Sequence, residues 1–232
     1  KKEDIFCDLL NKNCPAVTEL GYKIYFNLTS FDSNTLNFQI RYLYRFLKDK
    51  NSLNKIYNKD YLNQLTKQYN KSNLILIATY VNYEDLKILD ELIKLLIKDN
   101  KRIIIFDNGL VQSSKNSLNR LDYFVFKNKK FPNKNELNII EKNMFNDLKK
   151  NIDINYKIKT IAKNNKIFLV KKEDIFCDLL NKNCPAVTEL GYKIYWDQEH
   201  ITKEGSNFFA KKIEKDQNFL KYLSLSLNSK FD

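Results

Sequence analysis

The sequence predicts an α/β protein built around a doubly wound, parallel β-sheet. Two short apolar runs, 74–78 and 102–106, have the continuous hydrophobicity of strands buried on both faces. Between them, residues 83–98 carry apolar side chains at helical spacing with charged residues on the other face. Together these three segments predict a β-α-β unit. In doubly wound sheets, the functional groups gather at the carboxyl ends of the strands.

The remaining elements follow from apolar spacing along the chain. The predicted helices are Thr35–Lys48, Tyr61–Tyr69, Tyr83–Lys98, Asn135–Lys150 and Ile154–Lys163, with a last helix starting near Lys203. The predicted strands are Leu74–Ala78, Arg102–Phe106 and Lys166–Val170, preceded by an extended segment at Lys23–Leu28. Residues 110–134 are polar and irregular, which predicts a long loop or lid.

Size and charge narrow the class of protein. A chain of 232 residues suits one large α/β domain or two small ones. The net charge of +12 is compatible with a nucleic-acid partner, but only four of the 40 basic residues are Arg, the residue best suited to bidentate phosphate contacts. Lys and Asn are also spread along the whole chain. We therefore expect no nucleic-acid partner, although a basic nucleic-acid-binding protein stays as a third hypothesis.

No apolar run approaches the roughly 18 residues that a transmembrane helix needs. The opening Lys-Lys-Glu-Asp does not have the pattern of a signal peptide. We expect any export signal or membrane domain to lie outside this chain.

An internal repeat is the most unusual feature of the sequence. Residues 1–25 and 171–195 are identical, 170 positions apart. This spacing is far longer than the periods of about 20–50 residues that mark solenoids and propellers. Because repeats with separate functions diverge, identity over 25 positions indicates a very recent duplication or a join between two pieces of sequence.

The repeat contains all four cysteines, Cys7 and Cys14 in one copy and Cys177 and Cys184 in the other. The chain has no Cys-x-x-Cys and one histidine, so a zinc site is disfavoured. Either each pair closes a small disulfide loop, which implies an oxidising compartment, or the four are buried thiols. The polar loop at 178–183 favours the disulfide.

The single histidine, His200, follows Asp197 by three residues. A carboxylate in this position can accept a hydrogen bond from one imidazole nitrogen, which fixes the tautomer and leaves the other nitrogen as a general base. Thr202 is placed to cap the following helix, with Glu204 in its first turn. The alternative is a surface histidine beside a helix cap.

The segment that contains these residues resembles the SGNH hydrolase superfamily. The resemblance rests on Cys177 and Cys184, the run Gly-Tyr-Lys-Ile-Tyr at 191–195, the pattern Asp197-x-x-His200-Ile-Thr, and Gly205. It is closer to the SGNH domain associated with acyltransferase-3 membrane proteins, which O-acylate cell-envelope polysaccharides. It covers roughly residues 73–215.

The resemblance implies a three-layer α/β/α sandwich of flavodoxin-like type. It implies a Ser-His-Asp triad that transfers acyl groups or hydrolyses esters without any metal or organic cofactor. The partners would be a glycan acyl acceptor and a membrane acyltransferase domain that supplies acyl groups. The location would be extracytoplasmic, at the periplasmic or cell-envelope face.

Carried over by position, His200 is the general base and Asp197 its orienting carboxylate. The family's nucleophile lies in Gly-Asp-Ser after the first strand, and this chain has no such motif. The nearest match places Ser33 as the nucleophile, with Phe31 where the family has glycine. The alternative makes Ser33 an ordinary helix-entry residue. Asn82, just beyond a predicted strand, is the candidate oxyanion donor.

The second copy of the repeat continues into Asp197 and His200, as in the family. Residues 171–195 are therefore interpreted as the original and 1–25 as a displaced duplicate, standing where the first strand and nucleophile belong. The predicted SGNH-like domain is 26–232, without its family N-terminus. The leading hypothesis is a serine O-acyltransferase or esterase domain acting on acyl esters of envelope polysaccharide. The alternative is a non-catalytic remnant or glycan-binding accessory module with the same fold.

Overall fold

The computed structural model describes residues 36–49, 59–113 and 118–228. The chain divides into two compact units. The first, here called the sheet unit, comprises the described residues of Lys1–Asp107, Tyr156–Val170 and Asn218–Asp232. The second, the histidine unit, comprises those of Asn108–Asn155 and Lys171–Gln217.

The described residues form nine α-helices, one 3-10 helix and three strands. The α-helices are α1 (Leu36–Lys48), α2 (Lys59–Lys71), α3 (Tyr83–Lys98), α4 (Arg120–Asn128), α5 (Lys134–Asp147), α6 (Ile152–Asn164), α7 (Lys172–Phe176), α8 (Lys203–Ile213) and α9 (Gln217–Asn228). The 3-10 helix is Leu148–Asn151, and the strands are β1 (Leu74–Ile77), β2 (Arg102–Phe106) and β3 (Phe168–Val170).

The sheet unit contains a three-stranded parallel sheet in the order β1-β2-β3. Ile75 pairs with Ile103, and Ile105 pairs with Leu169. The apolar side chains of β1 and β2 are mostly buried, as expected for a parallel sheet covered on both faces. The predicted β-α-β unit and the α/β class with a parallel sheet are confirmed.

Helix α3 connects β1 to β2 and begins with a capping box. Asn82 Oδ1 accepts a hydrogen bond from Asp85 N, and Asp85 Oδ2 accepts one from Asn82 N. Together they satisfy amide groups that the first turn leaves without helical partners. Asp85 is fully buried and also accepts a 3.0 Å hydrogen bond from Arg41 Nε of α1. Burial raises the pKa of the Asp85 carboxyl despite these bonds, and the ion pair fixes α1 against α3.

The histidine unit has its own hydrophobic core. Ile140 and Met144 of α5 and Phe209 of α8 pack there with Ile194 and Tyr195. The half-cystine pair of the second repeat copy is buried in the same cluster. This core supports the segment that carries Asp197 and His200.

The predicted loop over 110–134 is wrong in its middle, because residues Arg120–Asn128 form α4. Of its nine residues only Leu121 is buried, and its other apolar side chains are half-buried or exposed. Its start is marked instead by Asn119, whose side chain accepts a hydrogen bond from Asp122 N. The five-residue helix α7 and the twelve-residue helix α9 were also not predicted. The other helices and strands agree with prediction to within a few residues.

The predicted extended segment Lys23–Leu28 lies outside the described residues. Within the part of the chain that is described, no helix combines the length and the apolar character needed to cross a membrane.

Candidate functional site

The predicted dyad lies in a closed turn of the histidine unit. Tyr195 and Ile201 form an antiparallel bridge, and Trp196 N donates a 2.7 Å hydrogen bond to the His200 carbonyl oxygen. These contacts close the loop that runs from residue 196 to residue 200. We call it the histidine turn.

Asp197 organises this turn with its side chain. Its Oδ1 atom accepts hydrogen bonds of 2.8 Å from both Glu199 N and His200 N. A short carboxylate that accepts nearby backbone amides in this way makes a stable local turn. The position of His200 is therefore set by the same carboxylate that contacts its ring.

The second carboxylate oxygen forms the predicted dyad, because Asp197 Oδ2 lies 2.8 Å from His200 Nδ1. Beside an ionised carboxylate, Nδ1 carries the proton and Nε2 keeps its lone pair. Partial burial favours the neutral carboxyl, but hydrogen bonds from the amides of Glu199 and His200 and from the imidazole outweigh it. The pKa of Asp197 is therefore below its usual range. The side chains are 46% (His200) and 36% (Asp197) exposed, so the dyad is open to solvent.

The turn leads directly into α8. Thr202 Oγ1 accepts a hydrogen bond from Gly205 N and donates one to the Lys193 carbonyl oxygen. A Cβ atom on Gly205 would lie 2.3 Å from the carbonyl oxygen of Ile194. The absence of a side chain at Gly205 thus allows α8 to contact the strand-like segment before the dyad. The predicted capping role of Thr202 is confirmed.

Asn119 binds the other side of the turn through hydrogen bonds. This residue was not identified from the sequence. Its buried Nδ2 group donates hydrogen bonds of 3.0 Å to the Tyr195 carbonyl and 3.2 Å to the Trp196 carbonyl. Its Oδ1 atom caps α4 by accepting from Asp122 N. The pattern Asn-x-x-Asp at 119–122 is a helix-start signal that could have identified the cap. Its contact with the turn is long-range and has no local signal.

Gln112 and a buried ion pair hold the same turn from a neighbouring segment. Gln112 N donates to the Gln198 carbonyl, and Gln112 Oε1 accepts from Arg120 N. Arg120 in turn binds Asp147 through two hydrogen bonds, Nε to Oδ2 at 2.7 Å and Nη2 to Oδ1 at 3.0 Å. Asp147 also accepts a hydrogen bond from Ser113 N. Burial favours the neutral Asp147 carboxyl, but these donors outweigh it and hold its pKa below the usual range.

The predicted disulfide between Cys177 and Cys184 is present. Glu141 of α5 holds the segment that follows it, because its carbonyl oxygen accepts from Cys184 N and its Oε1 atom accepts from Ala186 N. Burial raises the pKa of the Glu141 carboxyl, and the Ala186 amide only partly opposes this. The disulfide and Glu141 together fix the path of the chain toward the histidine turn.

An open cleft of about 890 Å³ reaches the histidine turn at Gln198. We call it the Gln112 cleft. Its lining residues are Val111, Gln112, Ser113, Arg120, Tyr123, Phe124, Lys127, Asn128, Glu136, Ile139, Ile140, Asn143, Lys150 and Gln198. No pattern in the sequence indicates this cleft, because α4, which bounds it, falls within the predicted loop.

The other predicted site residues are not joined to the dyad by any described contact. Asn82 lies in the sheet unit, where its side chain caps α3, and its oxyanion role stays a prediction. Ser33, Cys7 and Cys14 lie outside the described residues. Among the residues that are described, no group of three or more His, Cys, Asp and Glu side chains could hold a metal ion.

Comparison with known proteins identifies the family. The profile of the family described as "SGNH domain (fused to AT3 domains)" matches residues 36–215. A solved structure, the periplasmic domain of the Salmonella ser. Paratyphi A lipopolysaccharide acetyltransferase, is similar with 17% identity and a TM-score of 0.47. That similarity covers 66% of this chain and 60% of the length of that structure. No curated protein matches the sequence. The resemblance predicted from the sequence is confirmed, and the chain belongs to the family of SGNH domains described as fused to AT3 domains.

Proposed function

We propose that this chain is a serine O-acyltransferase or esterase domain that acts on acyl esters of cell-envelope polysaccharide. The observation that carries the proposal is the 2.8 Å contact between Asp197 Oδ2 and His200 Nδ1 in a chain of the SGNH family. This contact gives the imidazole the tautomer that a general base requires. The exposed fraction of the His200 side chain makes that base accessible to a substrate.

The proposed reaction proceeds through an acyl-enzyme. As a serine Oγ attacks the acyl carbonyl carbon, His200 Nε2 takes the hydroxyl proton. The imidazolium then donates this proton to the leaving alkoxide as the ester C–O bond breaks. A glycan hydroxyl or water next attacks the acyl-enzyme while His200 takes its proton, and the serine recovers that proton on release. Asp197 stays ionised throughout and stabilises the imidazolium.

Ser33 is the proposed nucleophile and Asn82 the proposed oxyanion donor. Their support is positional, since Ser33 lies in the one Asp-Ser pair that precedes a predicted helix near the start of the chain. Phe31 stands where the family has a glycine whose conformational freedom brings a backbone amide toward the oxyanion. Any activity should therefore be lower than that of a relative with the full motif.

We also propose an extracytoplasmic location and a membrane acyltransferase partner domain. The disulfide between Cys177 and Cys184 supports the location, because such bonds persist in oxidising compartments. The family description, which names fusion to AT3 domains, supports the partner. In this arrangement the partner supplies acyl groups and the glycan accepts them.

The alternative is a non-catalytic remnant or glycan-binding accessory module. It is favoured by one observation, the absence of Gly-Asp-Ser from a sequence whose residues 1–25 duplicate 171–195. Such a protein would fold normally and show no serine reactivity.

Labelling with a fluorophosphonate probe, followed by peptide mapping, separates the two functions. The wild-type chain, His200→Ala and Ser33→Ala are compared, with hydrolysis of p-nitrophenyl acetate as a second readout. We expect labelling at Ser33 that is lost in both variants. Labelling of another serine would still support a serine enzyme and would assign the nucleophile to that residue. A folded chain without any labelling would exclude the enzyme and favour the accessory module.

A further inference from the structure

We infer that the Gln112 cleft binds an acidic saccharide, with Lys127 recognising the acidic group. This inference deepens the proposed function, on which it rests, by naming the chemical class of the glycan. Within the described residues, the cleft is a concave surface that reaches the histidine turn.

The size and position of the cleft suit a short oligosaccharide. Its volume of about 890 Å³ lies in the upper part of the usual range for ligand sites. Gln198 lines the cleft and is the residue between Asp197 and Glu199 in the histidine turn. A sugar held in the cleft is therefore next to the loop that carries the dyad.

The polar lining matches sugar hydroxyl groups. Three accessible amide side chains, those of Asn128, Asn143 and Gln198, line the cleft. Each amide offers both donors and acceptors, which is what a hydroxyl group needs. The rings of Tyr123 and Phe124 lie on the same surface and supply the apolar area that covers sugar carbons.

Gln112 also lines the cleft, but its side chain supports the surface and does not face the ligand. It is 2% exposed, its Oε1 atom accepts from Arg120 N, and its Nε2 atom is buried. The amides that a sugar hydroxyl can reach are therefore those of the other three residues.

The charges around the cleft favour an acidic saccharide over a neutral one. Three cations, Arg120, Lys127 and Lys150, line it against one acid, Glu136. Arg120 is held by Asp147, as described above, and Lys150 Nζ lies 3.3 Å from the Val111 carbonyl oxygen and 3.8 Å from Asp147 Oδ1.

Glu136 is neutralised in its turn by Lys130 at 2.7 Å, and the hydrogen bond that Lys130 donates holds the pKa of the carboxyl below its usual range. Lys127 forms no ion pair with any described residue. It is the lining cation that remains available, so a carboxylate on the ligand would complete the charge balance of the cleft.

The test measures binding, so it does not depend on a complete triad. Trigalacturonate and its fully methyl-esterified form have the same sugar backbone and differ in charge. Their dissociation constants for the full chain are measured by calorimetry at low ionic strength. We expect the acid to bind more tightly than the ester, with the difference shrinking as salt is added.

Three variants on exposed helix positions assign the contacts. Lys127→Gln should lower the affinity for trigalacturonate by about two- to five-fold, the effect of losing one solvent-exposed ion pair, and leave the affinity for the ester unchanged. Asn143→Ala should lower the affinity for both ligands equally, because it removes a hydrogen-bonding group and no charge. Lys142→Gln removes a charge from α5 outside the cleft and should change the affinity for neither ligand.

Equal binding of acid and ester, no binding of either, or an unchanged acid affinity in Lys127→Gln would overturn the inference. Failure of the proposed function is distinguishable. If the chain binds trigalacturonate but does not react with the fluorophosphonate probe, the cleft binds the saccharide and the proposed enzyme is wrong. If the chain reacts with the probe but binds neither ligand, the enzyme is supported and the inference about the cleft is wrong.

Discussion

The side-chain amide of Asn119 donates a 3.0 Å hydrogen bond to the carbonyl oxygen of Tyr195, two residues before the carboxylate of the dyad. The same amide group reaches the carbonyl of Trp196, and Asn119 is 1% exposed. The amide shares its two hydrogens between these carbonyls and Asp122 Oδ2, which lies 2.8 Å away. A buried donor placed against two consecutive carbonyls fixes the backbone that carries Asp197. Asn119 is therefore a positioning residue for the histidine turn.

Asn119→Asp should separate this role from helix capping. The new carboxylate can still accept the hydrogen bond from Asp122 N, but it cannot donate to Tyr195 and Trp196, nor to Asp122 Oδ2, which Asn119 Nδ2 contacts at 2.8 Å. We expect a loss of about 1–3 kcal/mol in the free energy of unfolding, because the two carbonyls lose their donor and the new carboxylate faces that of Asp122. We also expect a lower kcat for p-nitrophenyl acetate with little change in KM. Urea unfolding and steady-state kinetics measure the two effects.

Asn133→Ala is the matched control, because Asn133 caps α5 and has no described contact with the histidine turn. It should cost about 1 kcal/mol in stability and leave kcat unchanged. Equal kcat values for Asn119→Asp and Asn133→Ala would show that Asn119 is only a helix cap.

The single histidine makes the dyad directly observable. With 15N-histidine labelling, every imidazole signal in the NMR spectrum belongs to His200. Because Asp197 Oδ2 lies 2.8 Å from Nδ1, we expect the neutral ring to carry its proton on Nδ1. Asp197→Asn should weaken this preference, because the amide is a poorer acceptor than the carboxylate. A wild-type ring with its proton mainly on Nε2 would contradict the proposed base.

Sequence reasoning located the dyad and the β-α-β unit because both have local signals. The burial of β1 and β2 appears as uninterrupted apolar runs, and the closeness of Asp197 to His200 follows from a spacing of three residues. The supports of the turn have no such signal. Asn119 contacts a carbonyl 76 positions away, and Arg120 pairs with a carboxylate 27 positions away. Such contacts depend on tertiary packing, and α4 has nine residues of which only Leu121 is buried, too few to mark a face toward the core.

The ion pair between Arg120 and Asp147 should contribute to the acid sensitivity of the histidine unit. The carboxylate is 7% exposed, and its pKa is below the usual value of about 3.9. A carboxyl whose pKa is lower in the folded chain adds stability above the unfolded pKa, and that stability is lost as pH falls through the folded pKa. The contribution of the pair is therefore fully present at pH 7 and is lost below about pH 4.

Arg120→Met tests this prediction, because it leaves the Asp147 carboxylate buried without its main partner. We expect the variant to lose about 3 kcal/mol in the free energy of unfolding at pH 7. The loss should be smaller at pH 3, where protonation removes the buried charge. Lys87→Met, which breaks an exposed pair with Glu84, should cost less than about 1 kcal/mol. A loss for Arg120→Met that is the same at both pH values would contradict the ionised pair.

The two identical cysteine pairs provide a comparison within one chain. Cys177 and Cys184 close a loop against Glu141 in the core of the histidine unit, and the bond joins residues seven positions apart. Replacing both with Ser should lower the free energy of unfolding by about 2–3 kcal/mol, the effect expected for so short a loop.

If residues 1–25 are a displaced duplicate, replacing Cys7 and Cys14 with Ser should leave the unfolding midpoint unchanged. Deleting residues 1–25 should also leave the unfolding midpoint unchanged, because the second copy already packs against Glu141. A drop in midpoint for the first pair equal to that for the second would show that the N-terminal copy has a structural role of its own.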